Sequence, residues 1–127
     1  MSIERHITNP AIGFSDAVST HGPGTLIHIS GNVGFGEDGQ VVPGGMGAEA
    51  RATFANIERT LHSLGASLTN VIKISAFVTN LDTYPEYAQA RAEAFGEELP
   101  ASATVQVAGL LVGAQIEIDA VAFVPSR

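Results

Sequence analysis

Between Met46 and Leu64 the apolar positions of this chain change period. Ala48, Ala52, Phe54 or Ala55, Ile57, Leu61 and Leu64 recur at mostly three- and four-residue steps, the spacing of one helix face. The flanking segments behave differently. Thr25–Val33 (TLIHISGNV) and Val71–Asn80 (VIKISAFVTN) are β-branched and apolar, and read as strands. A helix with an apolar stripe to bury, bracketed by strands with apolar faces of their own, restricts the chain to a layered packing of helix on sheet.

The remaining segments fill in that frame. Ile3–Thr8 suits a short strand, broken by Asn9-Pro10. Ser15–Thr20 is expected as a second strand, with His21-Gly22-Pro23-Gly24 as the turn. Residues 34–47 carry six glycines, Pro43 and two acidic residues, and read as a loop with a tight turn at Asp38-Gly39. Gly65 is a candidate C-cap for the first helix. Asp82 or Thr83 is positioned to cap a second helix, with Pro85 in its first turn and Gly96 at its end. Pro100 then opens two final strands, roughly 103–108 and 114–124. The order β-β-β-α-β-α-β-β predicts a two-layer α+β domain over residues 1–127, two helices against one mixed sheet.

Composition narrows the function classes. Apolar residues make up 45% of the 127 positions and charged residues only 15%, a globular composition with little charge to cover its surface. Some apolar surface is therefore expected to be covered by another subunit. The net charge is −7, and the six Lys and Arg residues are scattered rather than clustered. With no Trp and only two Tyr there is no stacking platform either, so nucleic acid is not an expected partner. Cysteine is absent, which removes disulfides, thiol nucleophiles and cysteine-based metal sites and fits a cytoplasmic location. The N-terminus lacks a basic region followed by an apolar run, and no apolar stretch has the length of a membrane span, so no membrane partner is expected.

Few residues offer chemistry. Glu117 and Asp119 stand two apart in the last strand and share one face, with Ile116, Ile118 and Ala120 on the other. Such a pair can do acid–base work, but a solvated outer face is the plainer reading. His6, His21, His28 and His62 form no metal-binding pair; His28 shares a face with Leu26 and Ser30 and reads as an interior or interface histidine, and His62 as an exposed helix residue. Gly44-Gly45-Met46-Gly47 lacks the Lys and Ser/Thr of a phosphate loop and reads as a plain connection. Ser30-Gly31-Asn32 ends a strand with small residues, which lets a ligand approach the backbone. No serine-nucleophile elbow is present.

Taken together, several stretches resemble the Rid family (RidA-like reactive intermediate deaminases, also described as L-PSP endoribonucleases). They are Ala11-Ile12-Gly13, Leu26-Ile27-His28-Ile29-Ser30-Gly31, Glu49 to Ile57, Val71 to Val78, Pro100-Ala101, Val105-Gln106-Val107-Ala108 and Ile116 to Ala122. The resemblance covers nearly the whole chain, and it rests on the order and spacing of the stretches rather than on one motif. It implies a chorismate-mutase-like α+β fold, a mixed sheet of about six strands with two helices on one face, and a homotrimer with small-molecule clefts between subunits. For the deaminase branch it implies hydrolysis of enamines and imines such as 2-aminoacrylate to keto acids and ammonia, with no cofactor and no metal. In that branch an arginine two residues after the Pro holds the substrate carboxylate, a glutamate in the last strand works on water, and a tyrosine near the start completes the cleft.

Carried over by position, Glu117 matches the glutamate, Ser30 and Gly31 a cleft Ser-Gly pair, and Thr104 a cleft position just after the arginine. Ser102 stands at the arginine position and Ser15 at the tyrosine position. Serine cannot offer the bidentate, charge-assisted fork that grips a carboxylate. The expectation is therefore an atypical member that processes a small neutral or differently anchored molecule. Glu117 would be the base or water-orienting group, Ser15, Ser102 and Thr104 hydroxyl donors, Phe14 an apolar wall, and Arg91 the one candidate for a substitute cation. The alternative is a non-catalytic trimer that binds a metabolite or protein. A ribonuclease comes third, disfavoured by the acidic charge and the missing arginine.

Overall fold

Four strands form the central sheet: β3 (Gly24–Asn32), β4 (Val71–Val78), β5 (Ala101–Gln106) and β6 (Ile116–Pro125), in the order β3-β6-β4-β5. The computed structural model describes residues 2–127. β6 runs antiparallel to both neighbours, and β4 and β5 run parallel, so the sheet is mixed. Two more strands, β1 (Ile3–His6) and β2 (Ala17–Thr20), pair as an antiparallel ribbon. The segment leading into β2 meets the β5 edge: Ser15 bridges Ala101 in parallel sense, and its N–H donates to the Pro100 carbonyl at 2.9 Å.

Helices α1 (Met46–Ser63) and α2 (Tyr84–Phe95) lie on one face of the sheet. α2 is the crossover that parallel β4 and β5 require. The core sits between the layers. Ile29, Ile74, Ala76, Val78, Ile116, Ile118 and Ala120 from the sheet meet Ala50, Phe54, Ile57, Leu61, Tyr87 and Phe95 from the helices. The α1 stripe is rotated slightly from the one expected. Met46, Ala50, Phe54, Ile57 and Leu61 are fully buried, Ala48 and Ala52 only flank them, and Leu64 is exposed past the helix end.

Several boundaries move as well. β1 stops at His6 instead of Thr8, and β2 starts at Ala17 because Ser15 is engaged with β5. β4 ends at Val78, and Asn80 caps the following turn by accepting from Asp82 N–H. Thr83 stands at the start of α2 without a side-chain cap, while Pro85 is in the first turn as expected. β5 begins at Ala101, two residues early, because the parallel register pairs Ala101 with Lys73 directly after Pro100. That shift puts Ser102 inside the strand. β6 begins at Ile116, and a 3-10 turn at Leu111–Gly113 occupies the preceding connection. Among the described residues, no helix is long and apolar enough to cross a membrane.

Alternation along β6 then separates the polar from the apolar. Ile116, Ile118 and Ala120 are buried under the helices, while Glu117 and Asp119 are half-buried on the other, open face. Register places Phe77 beside Glu117 and Ser75 beside Asp119 on that face. His28 is also there, exposed beside Val121, and so is not an interior histidine.

Candidate functional site

The site begins with an irregularity in β3. Pairing with β6 is regular up to Ile29–Ala120 and resumes at Asn32–Ile118, so Ser30 and Gly31 bulge out of register. Asn32 Nδ2 donates back to the Ser30 carbonyl at 2.8 Å and pins the bulge. Bulges of this kind re-aim the backbone beside sites. Here Gly31 is brought directly over the Glu117 side chain. A Cβ added at Gly31 would overlap Glu117 Oε2 and stand 3.0 Å from its Cδ. The absence of a side chain at Gly31 is what lets the carboxylate stay where it is.

Around Glu117 lies a pocket of about 230 Å³ lined by Gly31, Asn32, Val33, Phe35, Leu111 and Val112. Its outer wall is apolar: Phe35, Leu111 and Val112 are 39%, 81% and 65% exposed. Val112 has φ of 56°, a left-handed conformation that a β-branched residue rarely takes. Holding it costs on the order of 1–3 kcal/mol, and such strain clusters at functional sites. Among the described residues, the Glu117 carboxylate accepts no hydrogen bond and forms no ion pair.

One buried contact fixes the start of β6 two residues upstream. Glu49, in the first turn of α1 and 4% exposed, accepts from Gln115 N–H at 2.8 Å through Oε1. Through the Glu49 side chain, α1 thereby sets where β6 begins and where Glu117 emerges.

The other residues singled out from the sequence gather elsewhere. β5 register sets Ser102 beside Ile74 and Thr104 beside Ala76, both core positions, so these hydroxyls face the helices. They lie against the Tyr87 hydroxyl, though neither Tyr87 Oη nor Ser102 Oγ completes a hydrogen bond. Burial pushes the Tyr87 phenol pKa up, and Arg91, with the Ser102 and Thr104 hydroxyls, pulls it partly back. Arg91 is 1% exposed. Its guanidinium lies 5.4, 5.6 and 5.2 Å from the rings of Phe14, Tyr84 and Tyr87. It donates to Tyr84 Oη at 3.1 Å and to the Ile12 carbonyl at 3.2 Å, and its Nε has no partner. Ser15 is buried, its hydroxyl donating to the Leu99 carbonyl.

Within one chain the candidates thus form two groups on opposite faces of the sheet. Glu117, Gly31 and Ser30 are on the open face, and Arg91, Phe14, Ser15, Ser102 and Thr104 are on the helix side. Ser30 itself lines a neighbouring depression with His28, Lys73, Ser75, Asp119 and Val121. The pocket walls Phe35, Leu111 and Val112 were not singled out by periodicity, since they sit in connections. The one signal for Leu111 and Val112 is an apolar run, Leu110-Leu111-Val112, between the two strands expected at 103–108 and 114–124.

A profile of the family described as endoribonuclease L-PSP matches residues 5–124. The chain belongs to this family, the Rid family. This Rid protein is 31% identical over 127 residues to the 2-iminobutanoate/2-iminopropanoate deaminase of Dermatophagoides farinae, covering 95% of the chain and 97% of the relative. It is 35% identical over 97 residues to the rat protein of the same name, covering 76% and 71%. A Rid-family protein of unknown function from Yersinia pestis superposes with a TM-score of 0.84 at 26% identity, covering 96% and 98%. RidA from the Antarctic bacterium Psychrobacter sp. superposes with a TM-score of 0.75 at 29% identity, covering 98% and 99%. The two-layer, chorismate-mutase-like fold expected from the sequence is the one these Rid structures share.

Proposed function

We propose that this Rid protein hydrolyses an imine, or the enamine that tautomerises to it, with Glu117 orienting and deprotonating the attacking water. The observation that carries the proposal is the unpartnered Glu117 carboxylate in an apolar-walled pocket. A carboxylate with no internal partner, held by a backbone bulge at a pocket floor, is available to a bound water or substrate. The relatives named as imine deaminases support the reaction class.

The chemistry balances without further reactants: R₂C=NH + H₂O gives R₂C=O + NH₃. Glu117 takes a proton from water as the oxygen adds to the imine carbon. The carboxyl returns that proton to the nitrogen to give the carbinolamine, and ammonia leaves as the carbinolamine hydroxyl loses its own proton, relayed to the nitrogen through the same carboxylate. The apolar side chains of Phe35, Leu111 and Val112 offer no competing hydrogen-bond partner to the attacking water.

A homotrimer belongs to the same proposal. It is supported by the uncovered sheet face, with Leu26 54% and Val105 48% exposed, and by the low charge content. Ser102 as the counterpart of the carboxylate-gripping arginine supports an altered anchor. If the protein instead only binds a metabolite, Glu117 would serve as a hydrogen-bond acceptor and no turnover would follow.

The test is direct. Purified protein, its mass checked by light scattering, is added to imines generated in situ by a flavin-dependent oxidase, and imine decay is followed by timed trapping. Acceleration over buffer is expected; no acceleration with any imine would leave only the binding role. Gly31→Ala supplies a second check. The new methyl pushes the carboxylate from its place, so turnover is expected to fall by about tenfold or more. The melting temperature should move only slightly, because the displaced group is the free end of a side chain.

A further inference from the structure

We infer that the Glu117 pocket takes a protonated imine with an apolar substituent and no carboxylate, the kind of product released when a simple primary amine is dehydrogenated. This rests on the imine-hydrolysis reading above and names its substrate class.

The argument starts from where the cations are. None of the residues lining the Glu117 pocket is Lys, Arg or His. Arg5 is bound to the backbone carbonyls of Thr69, Val71 and Leu99, at the start of β4 and just before β5. Arg51 pairs with Glu93 on the outer surface of the helices. Arg59 lies in the next groove, beyond Asn32 and Phe35, and donates to Asn56. Lys73 is on the open face but opposite Val121, four positions along β6 from Glu117, or roughly 13 Å at the rise of a strand. Arg91 is buried among Phe14, Tyr84 and Tyr87 on the helix side of the sheet, so it does not reach the Glu117 pocket of its own chain. Arg127 ends the chain, ten positions past Glu117.

A 2-imino acid in this pocket would set its carboxylate beside Glu117 with no counter-charge. Two carboxylates sharing a small, partly desolvated site repel. A protonated imine without the carboxylate reverses the sign: its nitrogen is attracted to Glu117, and its substituent lies on Phe35, Leu111 and Val112. The pocket has room for such a group, since about 230 Å³ is the liquid volume of roughly eight water molecules. The strained Val112 backbone is the second, independent sign that this wall is held for a purpose. The reaction would be R–CH=NH₂⁺ + H₂O giving R–CHO + NH₄⁺. An amine-oxidising step would supply the substrate, and an aldehyde-consuming step would take the product.

Two measurements test this. The first compares benzamidinium, a planar cation mimicking a protonated imine, with benzoate, the anion on the same ring, by calorimetry on the full chain. Benzamidinium is expected to bind at least tenfold tighter, and Glu117→Gln to remove the difference. Equal or tighter binding of benzoate overturns the inference. The second compares imines generated by flavin oxidases from phenethylamine and from phenylalanine, which differ only by the carboxylate. Decay of the phenethylamine imine is expected to be accelerated at least tenfold more. If only the phenylalanine imine responds, this inference falls and imine hydrolysis stands; if neither responds, both fall.

Discussion

Glu117→Gln is expected to lower kcat/KM for imine hydrolysis by about a hundredfold or more, the usual contribution of a positioned general base. The fold should not notice. Glu117 is half-buried on the open sheet face and accepts no hydrogen bond among the described residues, so the amide leaves no partner stranded. The isosteric change keeps the pocket's shape and Gly31's clearance. A stability change within about 0.5 kcal/mol is therefore expected, as for substitutions that disturb no packing or network. Asp119 is the internal control. It stands on the same strand and face, but beside Ser75 in the neighbouring depression, outside the Glu117 pocket. Asp119→Asn should keep turnover within about twofold, since no proton transfer is assigned to it. Kinetics on both variants with one imine, together with thermal melts, decide the matter. Equal losses at the two positions would mean that the open face responds to its total charge rather than to one placed base.

The alternation in β6 was legible from residues alone, because a period of two leaves no choice once Ile116, Ile118 and Ala120 are buried. It showed that Glu117 and Asp119 share a face but could not rank them. The family resemblance picks out Glu117; the structural feature that sets it apart is the bulge at Ser30-Gly31, and a bulge is a property of pairing between distant strands. The apolar wall was hidden for a similar reason. Phe35 follows the end of β3 by three residues, whereas Leu111 and Val112 precede β6, and only the closed sheet makes them neighbours.

Ser102 shows the same limit from the other side. A strand beginning at 103 leaves open which way Ser102 points. The parallel register with β4 fixes it toward Tyr87 and the helices. From the sequence, Arg91 is the one candidate cation for the cleft. The structure gives it a full set of local roles instead, stacked on three rings and bonded to Tyr84 and Ile12. A guanidinium spread over aromatic faces tolerates burial without an acid partner better than an ammonium would.

Arg5→Ala is expected to be the most destabilising surface-strand substitution, at about 3 kcal/mol or roughly 10 °C in melting temperature. Arg5 sits in the peripheral β1–β2 ribbon, yet its side chain is only 9% exposed. Nη1 donates to the carbonyls of Val71 and Leu99 at 3.1 and 2.9 Å, and Nη2 to that of Thr69 at 2.7 Å. One guanidinium thus joins the ribbon to the start of β4 and to the approach to β5. Removing it orphans two part-buried carbonyls, each costing about 1–3 kcal/mol, while the Thr69 carbonyl is exposed enough for water to replace the donor. The ion pair to Glu98 at 3.1 Å counts for little beside this. Glu98 is 56% exposed, and such pairs contribute about 0–1 kcal/mol. Glu98→Gln is accordingly expected to cost under about 0.5 kcal/mol. Arg5→Lys should recover less than half of the alanine loss, because one ammonium cannot span three carbonyls that a planar fork reaches. Urea unfolding of the three variants separates the terms. If Arg5→Ala and Glu98→Gln cost the same small amount, the carbonyl clamp is not what ties the ribbon to the sheet.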